Sequence, residues 1–192
     1  MLPAFSNLTV SLPEWIPEVC EPGAVFPSLE TRMGLVIQLA RTNVARNTGG
    51  PFGAAVFDFE SGEILAPGVN LVVPANAALA HAEMLAIAFA GRALDSFDLG
   101  VRATELVSSA EPCAMCLGAV PWSGVRRLVC GARDEDARRI GFDEGDKPTD
   151  WIGGLRKRGI EVVQDVFRAE ATAVLEDYAR AGGPIYNGRG KG

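Results

Sequence analysis

A chain of 192 residues, 48% hydrophobic and 22% charged, is long enough to bury a substantial core and carries no sign of disorder. Its formal net charge of −6 argues against polyanionic partners, because nucleic-acid binding rests on lysines and arginines that neutralise phosphates. A small neutral substrate suits such a surface better, and neither a nucleic acid nor a membrane is expected as a partner.

Residues 1–27 are proline-rich and lack periodicity, which predicts an irregular arm, and they have neither the basic start nor the unbroken apolar run of a secretory leader. From Ser28 to about Asn47, apolar Met33, Val36, Ile37, Ala40 and Val44 recur at helical spacing. Ser28 and Thr31 offer capping groups, and Gly49-Gly50-Pro51 ends the run. Phe52 to Phe59, a turn at Glu60-Ser61-Gly62, and Glu63 to about Val73 read as a hairpin. The most apolar stretch, Leu71 to Leu94, is interrupted by Pro74, Asn76, His81 and Glu83, so it falls short of the roughly 20 apolar residues that span a bilayer. The expectation is a soluble, cytoplasmic protein.

A largely buried helix opens near His81, and Thr104 to Ser109 forms a third strand. Pro112 suits the first position of a helix, which puts Cys113 and Cys116 in the first turn of the next one, ending near Trp122. A strand over 126–131, a short helix over 135–140 and an acidic glycine-rich loop over 141–150 follow. A helix over 151–158, a strand over 160–164 and a last helix over 167–181 complete the order, and 182–192 form a C-terminal tail. Strands alternating with helices after an opening hairpin imply one domain over 1–192, with a mixed sheet covered by helices on both faces.

His81, Cys113 and Cys116 supply one imidazole and two thiols. Residues three apart share a helix face, and the positive end of a helix favours thiolates, so both sulfurs can reach one metal. Three such ligands leave the fourth corner of a tetrahedral Zn2+ open for water, the mark of a catalytic site, while a structural site would lack its fourth ligand because His81 is the chain's single histidine. Cys20 and Cys130 read as buried thiols. Glu83 would be a costly charge in an alanine-rich buried helix unless it moves protons. Asn70, within Gly68-Val69-Asn70-Leu71-Val72, sits where a strand is expected and asparagine is depleted, which suggests a substrate contact.

His81-Ala82-Glu83 followed by Pro112-Cys113-Ala114-Met115-Cys116 resembles the zinc-dependent nucleobase and nucleoside deaminases. With Gly50-Pro51-Phe52-Gly53, Asn70, Leu117-Gly118-Ala119 and Trp122, the chain looks like the bacterial guanine deaminases from about Met33 onward. The resemblance implies a cytidine deaminase-like three-layer α/β/α sandwich with a mixed five-stranded sheet, and conversion of guanine to xanthine and ammonia. It implies Glu83 as proton carrier and a carboxylate of the 141–145 loop, Glu144 ahead of Asp143, as a second relay on the leaving-group side. Phe52 and Trp122 would wall the ring, Ala82 and Asn70 would contact it, and Tyr186 in the tail would close an active site of a homodimer. Amino-s-triazines such as ammeline, which present a similar N–C(NH2)–N edge, are the nearest rival substrates, ahead of cytosine-type bases and of RNA adenosine. A noncatalytic zinc-stabilised interaction domain is the alternative outside enzymes.

Overall fold

The computed structural model describes residues 8–188; residues 1–7 of the expected arm and 189–192 of the expected tail lie outside the described residues. Its centre is a five-stranded sheet in the order β2-β1-β3-β4-β5. Strands β1 (Gly53–Asp58) and β2 (Ile64–Val69) form the hairpin, and β3 (Thr104–Ala110) pairs antiparallel to β1 on its other side. Strands β4 (Arg127–Ala132) and β5 (Glu161–Val163) then add in parallel. Parallel neighbours need crossovers, and helices provide them. These are α4 (Ala114–Ser123) between β3 and β4, and α5 (Asp134–Arg139) with α6 (Trp151–Arg156) between β4 and β5. A single turn, α1 (Ile16–Val19), and α2 (Leu29–Ala45) precede the sheet, α3 (Ala82–Ala93) links β2 to β3, and α7 (Arg168–Arg180) follows β5.

Strand alternation divides the core in two. Ala55, Phe57, Val107 and Val129 point into a layer closed by Met33 and Val36 of α2 and Val174 and Leu175 of α7. Ala54, Val56, Leu106 and Leu128 point into the opposite layer, against Ala86 and Ala90 of α3 and Leu117 and Val120 of α4. The arrangement is the expected three-layer sandwich with a mixed sheet. Ser28 caps α2 as its sequence suggests, its hydroxyl accepting from Thr31 N at 3.2 Å.

Three local expectations change. The second strand ends at Val69 rather than near Val73, because residues 71–80 close on themselves: Leu71 N donates to Ala80 O at 2.9 Å, and Ala77 N to Val72 O at 3.1 Å. Asn70 therefore stands just past the sheet. The arm is not merely a wrapping, since Trp15 and Ile16 are buried in the core and Val25 bridges Glu63. Pro112 precedes α4 instead of opening it; Cys113 is the N-cap, with extended φ −62° and ψ 172°. Among the described residues no helix is long and apolar enough to cross a membrane.

Candidate active site

Both halves of the metal motif sit at helix starts. His81 is the N-cap of α3 and Cys113 that of α4, so neither side chain is directed by regular helical backbone. The start of α3 presses against β2: a Cβ at Gly68 would lie 2.1 Å from Ala82 O, so only glycine permits the approach. There His81 Nδ1 stands 3.6 Å from each of Cys113 Sγ and Cys116 Sγ. The three ligand atoms lie within 4.8 Å of one another. Cys20 and Cys130 are free and buried apart from this cluster.

The donors fit zinc. Two sulfurs and one imidazole nitrogen converge, and no other histidine exists to close the coordination. One thiolate is already prepared: the hydrogen bond from Cys116, against the opposing effect of burial and with help from His81, brings Cys113 down to about 4. Zinc is the cofactor this arrangement would hold, with His81, Cys113 and Cys116 as its ligands.

Glu83 lies beside this cluster, 6% exposed. Ser108 Oγ of β3 donates to its Oε1 at 3.2 Å, and Cys116 Sγ lies 3.6 Å from Oε2. Among the described residues no lysine or arginine forms an ion pair with it. Burial first, and then the negative charge on Cys113, raise its pKa above the usual carboxylate range. A carboxylate whose pKa is raised above the surface range is a better proton acceptor than a surface acid, which suits it to proton transfer.

A cavity of about 680 Å³ opens over the cluster, within the usual size of small-molecule sites. Asn70 lines it and is fixed from every side. Its N–H donates to Phe52 O at 3.0 Å, its carbonyl accepts from Asn43 Nδ2 at 2.9 Å, and its side-chain oxygen accepts from Val72 N at 3.2 Å. Phe52 lines the cavity too. Glu144 is buried in its wall, with its carbonyl accepting from Ala114 N at 2.8 Å, whereas the Asp143 side chain is 67% exposed. Burial, followed by the charges of Cys113 and Glu83, pushes Glu144 up to about 8. Tyr186 lines the cavity too, and its buried hydroxyl has no hydrogen-bond partner among the described residues.

Two expected contacts fall elsewhere. Trp122 is 85% exposed and does not line the cavity; it lies on the outward side of α4, six residues past Cys116 and so roughly 240° around the helix from it. Ala82 is fully buried beneath β2, outside the cavity lining. Conversely, the sequence reading passed over Phe142, whose ring stands 5.0 Å from those of Phe52 and Tyr186 and 6.2 Å from that of Tyr178. It also passed over Ser108 and Asn187. A lone aromatic inside Gly141-Phe142-Asp143-Glu144-Gly145 was the available signal for the first; nothing local marked the other two.

The model of the cytidine and deoxycytidylate deaminase zinc-binding region matches residues 27–132. The chain is 37% identical over 127 residues to the guanine deaminase of Bacillus subtilis (strain 168), covering 63% of this chain and 79% of that one. A solved guanine deaminase from Nitrosomonas europaea is 47% identical with a TM-score of 0.87, over 91% of this chain and 97% of that one. A Nitrosomonas protein in complex with 2,6-diaminopurine is 48% identical with a TM-score of 0.89, over 95% of this chain and 98% of that one.

Proposed function

The chain belongs to the cytidine and deoxycytidylate deaminase family, and from that premise we propose that it is a zinc-dependent aminohydrolase converting guanine to xanthine and ammonia. The observation that carries this reading is the buried Glu83 carboxyl, without a lysine or arginine partner among the described residues and 3.6 Å from a ligand sulfur, in the lining of a cavity sized for a base.

When bound, zinc supplies a water acidic enough to attack at neutral pH. Glu83 takes the proton released on attack and delivers it to the ring nitrogen beside C2. Asn70 orients the ring by its carboxamide, and Phe52 and Phe142 pack on the apolar side. As the C2–N bond breaks and the C2 hydroxyl becomes the carbonyl, Glu144 gives a proton to the amino group and is reprotonated by the one the hydroxyl releases, so that ammonia rather than amide ion leaves. Tyr186 excludes water above the reacting centre and offers its hydroxyl to the base.

The tail caps the cavity of its own chain over the described residues, with Tyr186, Asn187 and Gly188 in the lining. A homodimer is proposed from α4, which exposes Met115 at 40% and Trp122 at 85% on one stripe with Gly118 between them, an apolar face suited to a second copy. Trp122→Glu should shift the molecule to monomer in analytical ultracentrifugation. One domain in the cytoplasm is proposed as well: Trp15 and Tyr178, near opposite ends of the chain, share one core, and all four cysteines are free, as a reducing compartment favours.

Metal analysis combined with ammonia release from a panel of bases tests the reading. Stoichiometric zinc with guanine as the preferred base is expected. Preference for ammeline would keep the chemistry and change the substrate, and zinc without ammonia from any base would overturn the enzyme.

A further inference from the structure

Glu144 stands in a loop without regular structure, between Gly141 at φ +107° and Gly145 at φ +68°. Backbone conformations of that kind hold a side chain in one place only if neighbouring groups engage the loop's amides and carbonyls. On one side Ala114 N, in the first turn of α4, donates to Glu144 O at 2.8 Å, and Arg138 Nη2 donates to Gly145 O at 2.6 Å. Other groups engage the side leading into Glu144. Asn187 Oδ1 accepts from Asp143 N at 2.8 Å, and Asn187 Nδ2 donates to Gly141 O at 2.9 Å. One carboxamide thereby meets the donor of one loop residue and the acceptor of another two positions away, as a neighbouring strand would.

We propose that Asn187 is a positioning residue for the reaction: its carboxamide clamps the Gly141–Gly145 loop so that Glu144 is presented to the cavity. The residue before it, Tyr186, lines the cavity and stands edge-on to Phe142 of the same loop, with ring centroids 5.0 Å apart. The same tail segment therefore borders both the cavity and the loop that carries Glu144. The clamp needs a donor and an acceptor on the same short side chain. Alanine removes both, and aspartate keeps the shape but turns an oxygen toward Gly141 O.

The kinetic arm of the test rests on the proposed deamination; the exchange arm does not. Asn187→Ala and Asn187→Asp should lower kcat about three- to tenfold, the worth of one net hydrogen bond, with KM, zinc content and melting temperature close to wild type. In a Glu144→Gln background the same substitutions should change kcat no further, because a residue that acts through Glu144 has nothing left to position. Hydrogen–deuterium exchange at the amides of Asp143 and Ala114 should quicken in Asn187→Ala with no base present. Multiplicative losses in the double variants, or unchanged exchange at both amides, overturn the clamp. A wild type that releases no ammonia from guanine overturns the substrate instead, and exchange then decides the clamp alone.

Discussion

Glu105 and Glu83 are both buried against β3, Glu105 within the strand near its start and Glu83 against Ser108 near its end. They are supported in opposite ways. Both oxygens of Glu105 meet guanidinium groups, Oε1 that of Arg32 from α2 and Oε2 that of Arg127 from β4 at 2.6 Å. Phe57 and Phe59 back the two cations, the Arg127 guanidinium lying 4.1 Å from the Phe59 ring centroid. Glu83 has a hydroxyl, a thiol and, among the described residues, no cation of this kind. A buried carboxylate with both oxygens paired to cations is a structural element, whereas one buried without such partners keeps its proton to higher pH and can trade it with a substrate. The fold completes the first kind at one end of the strand and the second kind at the other.

Exchanging each acid for a neutral residue should separate stability from chemistry. Glu83→Gln should lower guanine turnover by roughly 10²- to 10⁴-fold at unchanged zinc content, read as ammonia per minute against metal per chain. Because the pKa of Glu83 is raised in the fold, its ionised form opposes folding above the unfolded carboxyl pKa of about 4.3. Zinc-free Glu83→Gln should therefore melt higher than zinc-free wild type at neutral pH, and the gap should close as pH falls toward that value. A Glu83→Gln protein that both turns over and melts like wild type would break the contrast.

Glu105→Ala should behave inversely. Stranding the buried Arg32 guanidinium and the half-buried one of Arg127 should cost about 3–5 kcal/mol in denaturant unfolding, while kcat/KM measured well below the melting temperature stays close to wild type. Glu144→Gln should reduce kcat by roughly 10²-fold with little change in KM, since a relay acts after the base is bound. Unaltered kinetics would remove Glu144 from the reaction. The smallest effect is expected from Tyr186→Phe: KM for guanine should rise by up to about tenfold as one hydrogen bond to the base is lost, with kcat and melting temperature unmoved.

How much of this could be read along the chain depends on how far each interaction reaches. His81, Glu83, Cys113 and Cys116 were legible because zinc chemistry fixes residue types and short spacings. The mixed sheet with helices on both faces followed from alternating strands and helices after a hairpin, whereas the strand order within it came only from the structure. Trp122 misled because its distance from Cys116 was counted in residues and not as rotation about the helix. Asn70 was singled out as an oddity within a strand; it is in fact the first residue outside one, held by Asn43 and Gly50 across the α2–β1 turn. Phe142, Ser108 and Asn187 owe their roles to partners 25 to 90 positions away, such as Ser108 with Glu83 at a separation of 25 and Asn187 with Gly141 at 46. No local pattern encodes such pairs.

The loop of residues 71–80 carries a last consequence. Its two ends are tied to each other by the Leu71–Ala80 hydrogen bond, while Asn70 is anchored before it and His81 begins a helix after it. Val72, Asn76 and Ala77 from its interior nonetheless form part of the cavity rim. A loop closed at its base pays its entropy of closure there, and added residues cost it little more. Residues 73–79 can thus be rewritten, lengthened or shortened without shifting His81 or Asn70, which the Val72 amide helps to hold. Substrate range in such a scaffold can diversify through one detachable rim while the reaction beneath it stays the same.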